Sequence, residues 1–261
     1  MKKCFISLAM LSITNIYATD LYNSSNAQLT IPSVNVSGTN YNNVVITVGK
    51  VINIGGTGGF ALQNFLANLY SKTRKTVLTA QDSATPPNQY VITQTLTPGN
   101  DTIFENKTVN TIDVTLSATM NGALLGTFSA QYYYTKGNFN SQVGVNGFGS
   151  YKVYSNNVLP INDRLNIGDF LFLNSSFSYK DSTKKSINNY SVYYLSLEQS
   201  SDANSAYLCT TENQIEPGDV NTIPPVNKQC YQVDNNGTLL GSVNGLMNIN
   251  NTNLYATGTI K

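Results

Sequence analysis

TVNTIDVTLSATMNGALLGTFSAQYYYT, residues 108–135, is the stretch whose reading decides the fold. Apolar Ile112, Val114 and Leu116 alternate with polar Asp113, Thr115 and Ser117, so successive side chains fall on opposite faces, as a half-buried strand requires. Asn121-Gly122 then offers the positive backbone angles of a tight turn, which makes the stretch a long hairpin. A strict two-residue loop would set Ile112, Val114 and Leu116 opposite Gln131, Ser129 and Thr127, which mixes the faces. A three-residue loop, Asn121 to Ala123, pairs Met120 with Leu124, Leu116 with Phe128, Val114 with Ala130 and Ile112 with Tyr132. Hydrophobic matching selects the second register.

Outward from this hairpin the same alternation recurs. Tyr90 to Thr97 reads as a strand ending at Pro98-Gly99. Further strands are expected at 149–154, 169–173, 190–197, 206–209, 230–234, 238–240, 246–249 and 254–258. Asn146-Gly147 and Asn236-Gly237 are turn formers between them. Residues 27–56 hold two or three more short strands, broken by Pro32, Gly38 and Asn42-Asn43. Only Phe60 to Lys72 changes period: Leu62, Phe65, Leu66, Leu69 and Tyr70 follow the stripe of an amphipathic helix. The turn-rich SATPPN, 83–88, is the one candidate sub-boundary. The reading is all-β: a single domain over 19–261, an antiparallel β-sandwich with meander or Greek-key connections and one short helix near 60–72.

MKKCFISLAMLSITNIYA, residues 1–18, has a basic start, a short apolar run and a small residue at a cleavage point, which is an export signal. The apolar run is too short to span a bilayer, and no transmembrane helix is expected after cleavage. Export leaves Cys209 and Cys230, a lone pair expected to form a disulfide across a polar, proline-bearing loop. In a chain-entropy account such a closure stabilises by roughly 3 kcal/mol.

Of the 261 residues, 11% are charged and the net charge is +1, so no field attracts nucleic acid. There is no histidine, which removes Ser-His-Asp and Cys-His catalysis and the usual zinc sites. Fourteen carboxylates keep a two-carboxylate glycan hydrolase open as an alternative, although none sits in a recognisable motif. Asp234-Asn235-Asn236-Gly237 and Asn162-Asp163 offer oxygen ligands without the spacing of a calcium loop, and read as turns. The sequons at Asn35, Asn106, Asn174 and Asn189 carry no inference in so Asn- and Thr-rich a chain. Tyr132, Tyr133 and Tyr134, with Tyr193 and Tyr194, must split between two faces, so at least one in each group should be exposed as a candidate binding surface.

Gly56, Gly58 and Ala61 fit G-x-G-x-x-A between an apparent strand and helix, with Asp82 following. The stretch 51–82 resembles the start of a short-chain dehydrogenase or epimerase, which would imply a dinucleotide site. The surrounding chain lacks alternating strands and helices, so no cofactor is expected. LTIPSVNVSGTNYNNVVITVGKVINIGG, residues 29–56, resembles the mature N-termini of uncharacterised exported β-rich proteins of Gram-negative bacteria, and CYQVDNNGTLLG, 230–241, is compatible with that group. The resemblance implies a secreted or envelope-located β protein and brings no catalytic residue. The expectation is a non-enzymatic secreted or envelope-associated module with a structural or adhesin-like binding role toward a protein or glycan. The alternatives are a small outer-membrane β-barrel and the glycan hydrolase.

Overall fold

The computed structural model describes residues 28–31, 34–36, 39–41, 44–47, 59–61, 65–139, 141–154, 164–202, 204–215, 227–249 and 252–261. The export signal (1–18), Gly56, Gly58 and Asn162-Asp163 lie outside the described residues.

Four short strands come first: β1 (Gln28–Ile31), β2 (Val34–Val36), β3 (Thr39–Tyr41) and β4 (Val44–Thr47). β1 pairs with β4 and β2 with β3, both antiparallel. Helix α1 (Phe65–Tyr70) precedes β5 (Arg74–Gln81), β6 (Gln89–Pro98), the three-residue β7 (Thr102–Phe104), β8 (Lys107–Met120) and β9 (Ala123–Thr135). Then follow β10 (Gln142–Gly147), β11 (Ser150–Tyr154), β12 (Phe170–Tyr179) and β13 (Ile187–Gln199). β14 (Ser205–Ile215), β15 (Asn227–Asp234), β16 (Leu239–Ile249) and β17 (Thr252–Ile260) complete the chain of strands.

From β8 to β17 each strand pairs antiparallel with the next. Two further pairings join the ends of this run: β17 with β5, from Ile260↔Thr76 to Ala256↔Ala80, and β6 with β8, from Pro98↔Ile112 to Tyr90↔Met120. With β5 bound to β6, the sheet closes into a 12-strand antiparallel barrel, and β7 is a spur on the first residues of β8. The expected β-sandwich is therefore wrong. Alternation specifies which residues face inward, and a sandwich and a barrel demand the same alternation. What separates them is closure between strands far apart in sequence. Residues 83–88 connect the paired strands β5 and β6.

The β8–β9 register holds along its length: Ile112↔Tyr132, Val114↔Ala130 and Leu116↔Phe128. At the tip the expectation of Met120 opposite Leu124 fails, because Met120 pairs with Ala123 and Thr119 with Leu124. The turn is the two-residue Asn121-Gly122, with φ of 52° and 81°. A bulge places the extra Leu125 between Ala118↔Gly126 and Thr119↔Leu124, so both turn chemistry and hydrophobic pairing are satisfied.

Inward-facing Leu78, Ile92, Leu96, Val114, Leu116, Leu195, Leu197, Leu208, Val233 and Val243 join one core. Each such side chain stabilises by about 1.5–3 kcal/mol on burial. Helix α1 adds to this core, which Phe60 and Leu165 also join from outside the ring strands. It buries Phe65, Leu66, Leu69 and Tyr70 and leaves Ala67 and Asn68 exposed. The ring of Phe65 lies 5.7 Å from that of Tyr231 on β15, and Tyr70 lies 5.2 Å from Tyr134 on β9. These two strands stand on opposite sides of the ring, so α1 bridges the mouth where β5 begins and β9 and β15 end. Residues 59–61 cross the same mouth, with Phe60 bridged to Leu165 and the Ala61 amide donating to the Asn235 carbonyl.

Over β17, β5, β6, β8 and β9 the outer wall has the opposite chemistry, while Phe104, Val109, Tyr133, Val143 and Tyr151 form a second buried cluster apart from the lumen. Thr259, Val77, Thr93, Ser117 and Thr127 stand side by side across five strands, and Thr257, Thr79, Val91 and Thr119 form the next row. Among the described residues the exposed large hydrophobics are Val91, Ile103, Leu124, Ile167, Leu240 and Tyr255.

Candidate functional site

The inward face of β14 carries Ala206, Leu208 and Thr210 and continues in phase to Glu212, whose exposure is 0%. Lys152, on β11, extends its ammonium to the same point, donating to Glu212 Oε1 at 2.9 Å and to the Tyr193 hydroxyl at 3.1 Å. Tyr193, the register partner of Glu212 on β13, donates its hydroxyl to Glu212 Oε1 at 3.0 Å. Asn227, the partner of Glu212 on β15, donates Nδ2 to Oε2 at 3.3 Å. Ser176 Oγ lies 3.3 Å from the Tyr193 hydroxyl, and Tyr154 packs its ring 5.3 Å from that of Tyr193.

Burial alone would raise the Glu212 carboxyl, but the Lys152 charge and hydrogen bonds from Lys152, Ser191 and Tyr193 outweigh it and hold the group at about 2. Burial likewise works to lower Lys152, and the Glu212 charge, the hydrogen bond to Glu212 and the neighbouring Tyr154 and Tyr132 together outweigh it, leaving the ammonium above its ordinary value. Both partners are ionised at neutral pH. A carboxylate with both oxygens engaged and a fully protonated amine make neither a general base nor a nucleophile. The cluster can orient and lock, drawing together β11, β13, β14 and β15.

Cys209 and Cys230 face each other in register on β14 and β15 and are joined by a disulfide. They lie on the outward face. The Glu198 carboxylate is within 4.8 Å of both sulfurs, but sulfurs bonded to each other carry no thiolate for a metal. Glu198 is instead paired with Lys228 at 2.6 Å.

The tyrosines do not form an exposed surface. Tyr132, Tyr134 and Tyr193 face inward and are buried. Tyr133 points the other way, as alternation demands, yet is only 7% exposed because Phe104 of β7 stacks on it at 4.2 Å. Tyr194 is half-buried. Asp82, the acid of the dinucleotide reading, accepts from the Asn88 and Ala84 amides and the Tyr90 hydroxyl, and these bonds hold its turn. Asp234 caps its own turn, accepting from the Asn236 and Thr238 amides.

Lys152 and Glu212 were not singled out in the sequence. In AYLCTTE Glu212 falls in step with Ala206 and Leu208, a phase signal the sequence carries, whereas in SYKVY Lys152 alternates with Tyr151 and Val153, so local pattern hides its inward direction. No protein-family model, no curated protein and no solved structure matches the chain.

Proposed function

We propose that the chain works outside the cytoplasm as a water-facing β-barrel with a structural or binding role. The observation that supports this reading is the direction of its faces. A barrel in lipid needs an apolar outer belt and commonly has a polar interior. Here Ile, Leu, Val and Tyr fill the lumen, α1 bridges one mouth, and over β17, β5, β6, β8 and β9 rows made mostly of Thr and Ser look outward. Among the described residues the six exposed large hydrophobics fall on β6, β7, β9, β16, β17 and the approach to β12, one on each. Export is supported by the signal at 1–18 and by the Cys209–Cys230 disulfide, a bond at home in oxidising compartments. The partner this reading calls for is a protein or a glycan.

An outer-membrane barrel is the second reading, and one observation favours it: an even number of strands, each paired antiparallel with its neighbours in a closed ring. Cell fractionation decides between them. Release into the periplasmic or culture fraction without detergent is the expected result. Extraction only by detergent, together with heat-modifiable migration on gels, would overturn the first reading in favour of the second.

A further inference from the structure

We infer that the N-terminal hairpin, residues 28–47, docks on the outer wall of its own barrel, against an aromatic band that crosses β9 to β13. The inference rests on the water-facing reading, because in a membrane the same band would meet lipid. Tyr133, Gly144, Val153, Phe177 and Tyr190 stand side by side across these five strands. Tyr132 and Tyr134, Lys152 and Tyr154, and Ser176 alternate with them and point into the lumen, so this row faces outward. Tyr179, the partner of Tyr151, and Val192, the partner of Ser175, widen the band on either side. On the polar part of the wall, outward Thr79, Thr127 and Thr257 are exposed. In the band Tyr190 and Val192 are 6% and 0% exposed, and Val153, Phe177 and Tyr179 are half-buried. An apolar outer surface of this kind marks a contact site in water. β7 supplies the contact at Tyr133 and Tyr151, where Phe104 packs, and the Phe177 end calls for another.

The hairpin brings a complementary face. Leu29 is opposite Ile46 and Ile31 opposite Val44, so four aliphatic residues share one face, while Gln28, Thr30, Val45 and Thr47 take the other. Further along, Val34 is opposite Tyr41, and Asn35 is opposite Asn40 on the reverse face. No residue of 28–47 is charged, so its partner is an apolar surface and not an ionic one. A lone two-stranded hairpin is marginal in water until its apolar face is packed against something. The tether puts the band within reach. Phe60 is bridged to Leu165, and Arg164 Nη1 donates to the Gly59 carbonyl at 2.7 Å, which fixes the chain after the hairpin just ahead of β12. Phe177 lies about 23 Å along that strand from its first residue, Phe170. Residues 48–58, four of them glycine, span up to roughly 40 Å. Such a tether holds the hairpin at an effective concentration on the order of millimolar beside its own barrel, which favours this site over a second copy's.

Isotope-edited NMR on the full mature protein tests the docking. Nuclear Overhauser effects are expected between methyl groups of Ile31, Val44 or Ile46 and the rings of Phe177 or Tyr179, within one molecule. Effects seen only between labelled and unlabelled copies would move the site to a second chain and overturn the proposal, and a soluble protein lacking them overturns it too. Ile31→Asp with Ile46→Asp should free the hairpin and speed thermolysin cleavage within 28–58 by at least about tenfold. An unchanged rate counts against docking. Recovery only in detergent would instead defeat the water-facing reading and take this inference with it, whereas the other failures leave that reading standing.

Discussion

Two Glu-Lys-Tyr clusters are wired alike and sit on opposite sides of the barrel wall. Inside, Glu212 accepts from Lys152 and Tyr193. Outside, Glu105 accepts from Lys184 at 2.6 Å and from Tyr151 at 2.7 Å, where β7 folds its Phe104 against Tyr133. The carboxylate side chains are 0% and 29% exposed, and the lysines 12% and 40%. Hydrogen bonds from Lys184 and Tyr151 also hold Glu105 below its ordinary value, against a smaller opposing effect of burial. At Glu212 burial is the largest single influence, and the Lys152 charge and the hydrogen bonds must together overcome it. Water can replace a lost partner in the outer cluster and cannot reach the inner one, so equal contacts carry unequal consequences.

The sharpest way to break the comparison is to remove one inner partner. Glu212→Gln leaves Lys152 buried without its counter-charge and should cost about 3–5 kcal/mol in denaturant unfolding. A loss under about 1 kcal/mol would mean that solvent reaches the lumen there.

Acid comes next. The folded value of Glu212 lies below the roughly 4.3 expected of an unfolded Glu, so its contribution is present above that pH and disappears as pH falls through about 2. Unfolding free energy should therefore fall more steeply over that window in the wild type than in Glu212→Gln. Parallel curves would remove Glu212 from the acid response.

Glu105→Gln should cost only about 0.2–1 kcal/mol, and the difference from wild type should shrink further at roughly 1 M salt. The smallest net effect is expected when both inner charges go together. Lys152→Met with Glu212→Leu should lie within about 1 kcal/mol of wild type or be more stable, because two desolvation penalties vanish along with the attraction. A double variant as unstable as Glu212→Gln alone would show that packing, and not charge, makes the inner site sensitive.

Much of the wall was legible in the sequence. Ile112, Val114 and Leu116 identified their own face and their partners Tyr132, Ala130 and Phe128, because local alternation and pairing are short-range facts. Phe65, Leu66, Leu69 and Tyr70 identified the helix, which proved shorter than the stripe that suggested it. A barrel stood only among the alternatives, because closure is not a local fact and nothing near Thr76 announces that it will pair with Ile260. Tyr133 shows the same limit on a smaller scale. Its outward direction followed from alternation, but its cover came from Phe104 on a spur that no periodicity marks. The inner ion pair needed both pieces of knowledge at once: that Lys152 and Glu212 face inward, and that the wall curves enough to bring β11 and β14 together.

The seam between β5 and β17 also sets an order of events. β5 emerges from the ribosome before any other strand of the ring and β17 after all the rest, so the ring cannot shut until every intervening residue has been made. A chain threaded through a secretion channel as an extended polymer would keep two bare strand edges throughout its passage. Such edges invite pairing with other chains, and a holding chaperone on the far side would have its greatest effect just before residues 252–260 arrive.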